Sequence, residues 1–96
     1  MTTYFISRHK GAIDWIAQQG IHIDKTLSHL NPQDIQKGDI IVGTLPIHLV
    51  AKVCQQGGRY FHLTLNLPEA LRGKELSAED MQNAQAQLEE FNVEKL

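Results

Sequence analysis

Ser7, Arg8, His9 and Lys10 place a hydroxyl, a guanidinium, an imidazole and an ammonium on four consecutive positions. Such a group can bind an anion and move a proton. A guanidinium grips a phosphate through two parallel hydrogen bonds, and imidazole is the side chain that titrates near neutrality. Gly11 follows directly. A second polar stretch, Gly43-Thr44-Leu45-Pro46-Ile47-His48, again combines glycine, a hydroxyl and an imidazole. Glycine there allows a ligand to approach the backbone closely. Asn66 supplies a side-chain amide farther along, and Arg72 sits beside Gly73 where it can close over a ligand.

Each of these residues also has a plain structural reading. Arg8 can be a surface residue or an ion-pair partner of Asp14, and Ser7 can simply cap the helix that follows it. His9 can bond its own backbone, Lys10 and His48 can be solvated, and Arg72 can belong to a surface loop. Gly43 and Thr44 suit an ordinary strand-to-helix turn. What favours chemistry is the position of both stretches, each running from an apolar strand into a helix.

Those elements read as follows. Thr3 to Ser7 is a short buried strand, and Ala12 to Gln19 a helix with Ala12, Ile13, Ile16 and Ala17 recurring at helical spacing and Trp15 widening the face. Gly20 ends it. Residues 21–30 hold one edge strand, and Pro32 to Ile35 one helical turn. Asp39 to Leu45 is the clearest strand, its Ile40, Ile41 and Val42 suited to cover on both faces. Pro46 opens the next helix, with Ile47, Val50, Ala51 and Cys54 as its buried stripe. Arg59 to Leu67 is a strand with Tyr60, His62, Thr64 and Asn66 on one face and Phe61, Leu63, Leu65 and Leu67 on the other. Leu71 to Leu76 is a loop or short edge strand. Ser77 to Asp80 is a capping-box pattern. The last helix turns Met81, Ala84, Leu88 and Phe91 inward.

This order predicts an α/β fold: a small Rossmann-like three-layer sandwich with a mainly parallel sheet of about four or five strands. Parallel sheets present ligand sites beyond the carboxyl ends of their strands. Ser7–Gly11 and Gly43–His48 both lie there, at helix N-termini whose free amides and dipole favour an anion. Asn66 points to the same rim.

Bulk properties narrow the function. At 96 residues the chain is one domain with a thin core, too small to enclose a large ligand alone. A net charge of −2 provides no basic field for long nucleic acid, so an anion site must be local. The single cysteine, Cys54, excludes an intrachain disulfide and fits a reducing compartment. The start of the chain has no signal-peptide pattern and no apolar run reaches membrane-spanning length, so the expected location is the cytoplasm. His22, His29 and His62 are too scattered for a metal site, and no cofactor is expected. The chain contains no GxGxxG, P-loop, GxSxG or HExxH motif.

The strings YFISRHKGAIDW, GDIIVGTLPIHL and LTLNLPEALRGKELSAEDM occur in this order, and the likeness they carry extends over nearly the whole chain. In them the sequence resembles the small type III CRISPR-associated proteins of the VVA1548 kind. That resemblance implies an accessory protein related to the CARF-like ring nucleases, which bind cyclic oligoadenylate, cut it and switch off the antiviral response. The RGKELS stretch is also similar to a segment of viral and cellular ring nucleases in which an arginine and an acidic residue lie near the bound ring. Arg72 and Glu75 stand at the matching positions.

The ring of cyclic tetra-adenylate is nearly fourfold symmetric, so a homodimer with facing rims offers every contact twice. The expected chemistry is metal-independent attack of a ribose 2′-hydroxyl on the adjoining phosphorus. Arg8 is expected on the scissile phosphate and His9 or His48 as proton donor, with Ser7, Lys10, Gly11, Gly43, Thr44, Asn66, Arg72 and Glu75 lining the ring. One rival is a module that binds a cyclic nucleotide without cutting it. Another is an interaction protein that docks through its last helix, against which the polar run Gln82, Gln85, Gln87, Glu89 and Glu90 weighs.

Overall fold

Consecutive β-branched residues Ile40, Ile41 and Val42 point alternately to both sides of a strand, so both sides must be covered. The computed structural model describes residues 1–66 and 76–96 and has this arrangement. The elements are β1 (Thr3–Ile6), α1 (Lys10–Gln18), β2 (Lys25–Leu27), a 3₁₀ turn (Pro32–Asp34), β3 (Ile40–Gly43), α2 (Ile47–Gln55), β4 (Arg59–Thr64), α3 (Ala78–Asn83) and β5 (Gln87–Phe91). The strands form one sheet in the order β2-β1-β3-β4-β5. The first four are parallel and β5 is antiparallel to β4. This is a Rossmann-like three-layer sandwich.

Strand alternation divides the core in two. On one face Tyr4, Ile6, Ile41 and Tyr60 pack with Val50 and Val53 of α2 and with Ile35 after the 3₁₀ turn. On the other, Phe5, Val42 and Leu63 meet Ala12, Trp15 and Ile16 of α1 and Met81 of α3. Phe5 and Ile41, from neighbouring strands, have no exposure and anchor the opposite faces. Burying such a side chain stabilises the fold by about 1.5–3 kcal/mol. Trp15 Nε1 donates to Gln82 Oε1 at 3.1 Å, tying α1 to α3. At the amino edge of the sheet, buried Asp39 accepts the Thr2 and Gln36 amides, both at 3.0 Å.

Several expectations are corrected. The last helix does not run to Phe91. It stops at Asn83, Gln85 adopts a left-handed φ of 58°, and the Ala86 amide donates back to the Met81 carbonyl. The chain then returns as β5, with Leu88 opposite Leu63. The spacing of Met81, Ala84, Leu88 and Phe91 satisfied a helical pattern, but a turn at Gln85 carries no glycine or asparagine to announce it. The capping box itself is present, Ser77 Oγ accepting the Asp80 amide and Asp80 Oδ2 accepting the Ser77 amide. The buried stripe of α2 is rotated: Val50 and Val53 are buried, Ala51 and Cys54 are half-buried, and Ile47 is 72% exposed. In α1, which begins at Lys10, Trp15 is buried and Ala17 exposed. The edge strand in 21–30 is only Lys25–Leu27, and β4 ends at Thr64 rather than Leu67. Among the described residues no helix is long and apolar enough to cross a membrane.

Candidate functional site

Ile6 and Gly43, the last residues of β1 and β3, are register partners, and Gly43 is also the partner of His62 in β4. From this row the chain leaves β1 toward α1 on one face and β3 toward α2 on the other. That divergence is the topological switch point at which open α/β sheets take up ligands. It brings Ser7–Gly11 and Thr44–His48 to one rim, as the sequence led us to expect.

On the β1 side, the Ser7 amide donates to the Leu27 carbonyl at 2.9 Å, and Ser7 Oγ accepts the His9 amide at 3.1 Å. Ser7 therefore holds the entrance to α1, while His9 occupies the N-cap position without a side-chain cap bond. The Lys10 and Gly11 amides, first in the helix, meet no acceptor among the described residues. Two donors at the start of α1 thus lack an acceptor among the described residues, the feature by which helix N-termini hold anions. Arg8, His9 and Lys10 are exposed. Arg8 does not pair with Asp14; its Nη2 lies 3.5 Å from Nδ1 of His29, which follows β2. At that distance the contact is weak.

Gly11 is buried, and a Cβ there would fall 1.7 Å from the Leu76 carbonyl oxygen. The missing side chain thus serves the approach of the backbone leading into α3. Only its amide remains as a ligand group. Gly43 is also buried, and a Cβ on it would lie 2.9 Å from the Ile6 carbonyl oxygen.

Tyr60 organises the β3 side. Its hydroxyl accepts the Leu45 amide at 2.9 Å, donates to the Gly43 carbonyl at 2.9 Å and lies 2.8 Å from His62 Nδ1. These bonds hold the backbone on both sides of exposed Thr44. Burial raises the Tyr60 pKa above the ordinary phenol value, with the Leu45 amide opposing, so the hydroxyl keeps its proton. The His62 ring also meets Phe91 edge-on, with centroids 5.9 Å apart. Thr64 Oγ1 is buried with no hydrogen-bond partner among the described residues.

His48 is exposed as the second residue of α2. Asn66 is exposed beyond the end of β4, its backbone N–H donating to the Ala84 carbonyl at 2.8 Å. Arg72 and Glu75 lie outside the described residues. A groove of about 890 Å³ runs between α2 and the C-terminal tail, past Ile47, Lys52, Val93 and Leu96, and shares only His48 with the candidates. Among the described residues no three His, Cys, Asp or Glu side chains gather to hold a metal ion.

Tyr60 and His62 were not singled out for function from the sequence. The alternation in RYFHLT placed them on one face, but the register that joins them to Gly43 and Leu45 has no local signal.

Comparison with known proteins agrees with the resemblance at the level of family. No curated protein and no solved structure matches the chain. A family model described as "Putative CRISPR-associated protein (Cas_VVA1548)" matches residues 4–94, which include every described element except the first residue of β1. The chain belongs to the Cas_VVA1548 family of CRISPR-associated proteins.

Proposed function

We propose that this protein is a ring nuclease of a type III CRISPR system, related to the CARF-like proteins, that binds cyclic oligoadenylate, with cyclic tetra-adenylate as the preferred ring. The observation that carries the reading is the Ile6–Gly43 pairing, which brings the starts of two helices, with Arg8 before the first of them, to one edge of the sheet at the switch point. Amides without an acceptor among the described residues and a guanidinium suit phosphates, and membership of a CRISPR-associated family supports a phosphodiester messenger as their source. The rim is open, so the reading includes a homodimer that places the ring across its two-fold axis.

Cleavage uses the substrate's own nucleophile. A 2′-oxygen bonds to the adjoining phosphorus, the bond to the 5′-oxygen breaks, and a linear product carries a 2′,3′-cyclic phosphate. Aligning nucleophile, phosphorus and leaving oxygen can lower such a barrier by about 7–11 kcal/mol. Arg8 neutralises charge developing on the phosphorane. His9 or His48 protonates the leaving oxygen, a step that typically contributes about 10²–10⁴-fold. Ser7, Lys10, Gly11, Thr44 and Asn66 position the ring. The test compares the parental chain with Arg8→Ala on labelled cyclic tetra-adenylate in EDTA. The reading requires a linear product from the parent and loss of binding or cutting in the variant; equal cleavage by both removes Arg8 from the site.

A second reading is binding without cutting. It is favoured by the rings of His9 and His48, for which no orienting hydrogen bond exists among the described residues. Intact ring retained by the protein in the same assay would select it.

A further inference from the structure

The contacts around the Tyr60 hydroxyl fix a proton elsewhere. Leu45 N–H can only donate and the Gly43 carbonyl can only accept, so Tyr60 must use its one hydrogen on Gly43. A Tyr60 proton directed instead at His62 would leave two oxygens 2.9 Å apart with no hydrogen between them. The remaining neighbour of the hydroxyl is His62 Nδ1 at 2.8 Å, which makes an attractive contact only by donating. His62 is therefore protonated on Nδ1, and in the neutral ring Nε2 carries the lone pair. That nitrogen has no hydrogen-bond partner among the described residues. Tyr60 and the near-perpendicular ring of Phe91 hold the imidazole on two sides. His62 is half-buried, and its strand position is level with Gly43 and, through it, with Ile6, the last row of β1 and β3 before the rim.

We infer that His62 is the general base of the rim site, accepting through Nε2 the proton of the attacking ribose 2′-hydroxyl, with Tyr60 as the residue that positions it. This rests on the ring-nuclease reading and adds to it the group that removes the first proton. The step balances: the 2′-hydroxyl proton moves to Nε2, the 2′-oxygen–phosphorus bond forms, and the departing 5′-oxygen takes its proton from His9 or His48. His62 contrasts with those two histidines in having an orienting partner.

Two measurements on the whole chain test it. Nitrogen-15 spectra of the neutral imidazoles report the tautomer directly: His62 should carry its proton on Nδ1 in the parent, and Tyr60→Phe should shift it toward Nε2. His62→Asn preserves a donor to the Tyr60 hydroxyl but not a base, so it should retain affinity for cyclic tetra-adenylate and cut it at least about 100-fold more slowly. A His62 proton on Nε2 in the parent, or parental cleavage by His62→Asn, overturns the base assignment and leaves the ring-nuclease reading standing. A parent that has the Nδ1–H tautomer yet cuts no ring overturns both.

Discussion

Gly43 stands beside Ile6 in the parallel ladder between β1 and β3, and the Ile6 carbonyl oxygen occupies the space a Gly43 side chain would need. A Cβ there would come within 2.9 Å of that oxygen, closer than real contacts allow. The two strand ends can adjoin at the rim only because position 43 is bare. Gly43→Ala should therefore destabilise the protein by about 1–3 kcal/mol, the usual range for overpacking. For a domain of this size each kcal/mol lowers the melting temperature by about 4–8 °C. Thermal denaturation followed by circular dichroism checks it.

Gly11 is under a harder constraint. A Cβ placed 1.7 Å from the Leu76 carbonyl oxygen overlaps backbone, which has little freedom to yield. Gly11→Ala should cost more than Gly43→Ala, and it should loosen α1 from α3. Because Trp15 donates to Gln82 across that contact, tryptophan fluorescence should shift to the red along with the fall in melting temperature.

Tyr60→Phe keeps the buried ring and removes the hydroxyl. The Leu45 amide then loses its acceptor and the Gly43 carbonyl a donor. Leaving a buried polar group unpaired costs about 1–3 kcal/mol. Chemical denaturation should show a loss in that range, and amide hydrogen exchange at Leu45 should accelerate while exchange at Ile41, deep in the sheet, changes only by the global loss.

Two carboxylates set the acid response. Asp24 is held below its ordinary value of 3.8 chiefly by accepting the Thr3 amide, and then by its hydrogen bond to His22. Glu90 is held below 4.5 by its hydrogen bonds with Arg59. A carboxylate whose folded pKa is depressed contributes stability that is fully present above its unfolded pKa. The contribution shrinks as pH falls through those ordinary values and is gone below the folded ones. Both groups sit at the surface, so the effect should be small and weakened by salt. Denaturation midpoints measured from neutral pH downward should fall in that window, and Asp24→Asn should flatten the dependence.

The core and the rim were legible in the sequence for different reasons. Ile40-Ile41-Val42 could only be a strand covered on both sides, and its carboxyl end fixed where Thr44 and His48 would emerge. The same logic placed Ser7–Lys10 at the end of β1. Beyond those strand ends, local pattern and tertiary structure part company. Leu88 and Phe91 fit a helical period as well as they fit β5, and the left-handed Gln85 that decides between them belongs to a residue type without that preference. The packing need for glycine at position 11 had no signal, because the approach of Leu76 is invisible in sequence. His62 looked scattered because its partner, Tyr60, gains meaning only from the register of β3 against β4.

Under the proposed function, the rim at Ile6 and Gly43 turns a cyclic oligoadenylate into linear product by 2′-hydroxyl attack. The most direct test incubates the purified chain with labelled cyclic tetra-adenylate in EDTA and identifies the product ends by mass. That function predicts linear oligoadenylate ending in a 2′,3′-cyclic phosphate, formed far more slowly by Arg8→Ala. Recovery of intact ring, bound or free, would contradict it.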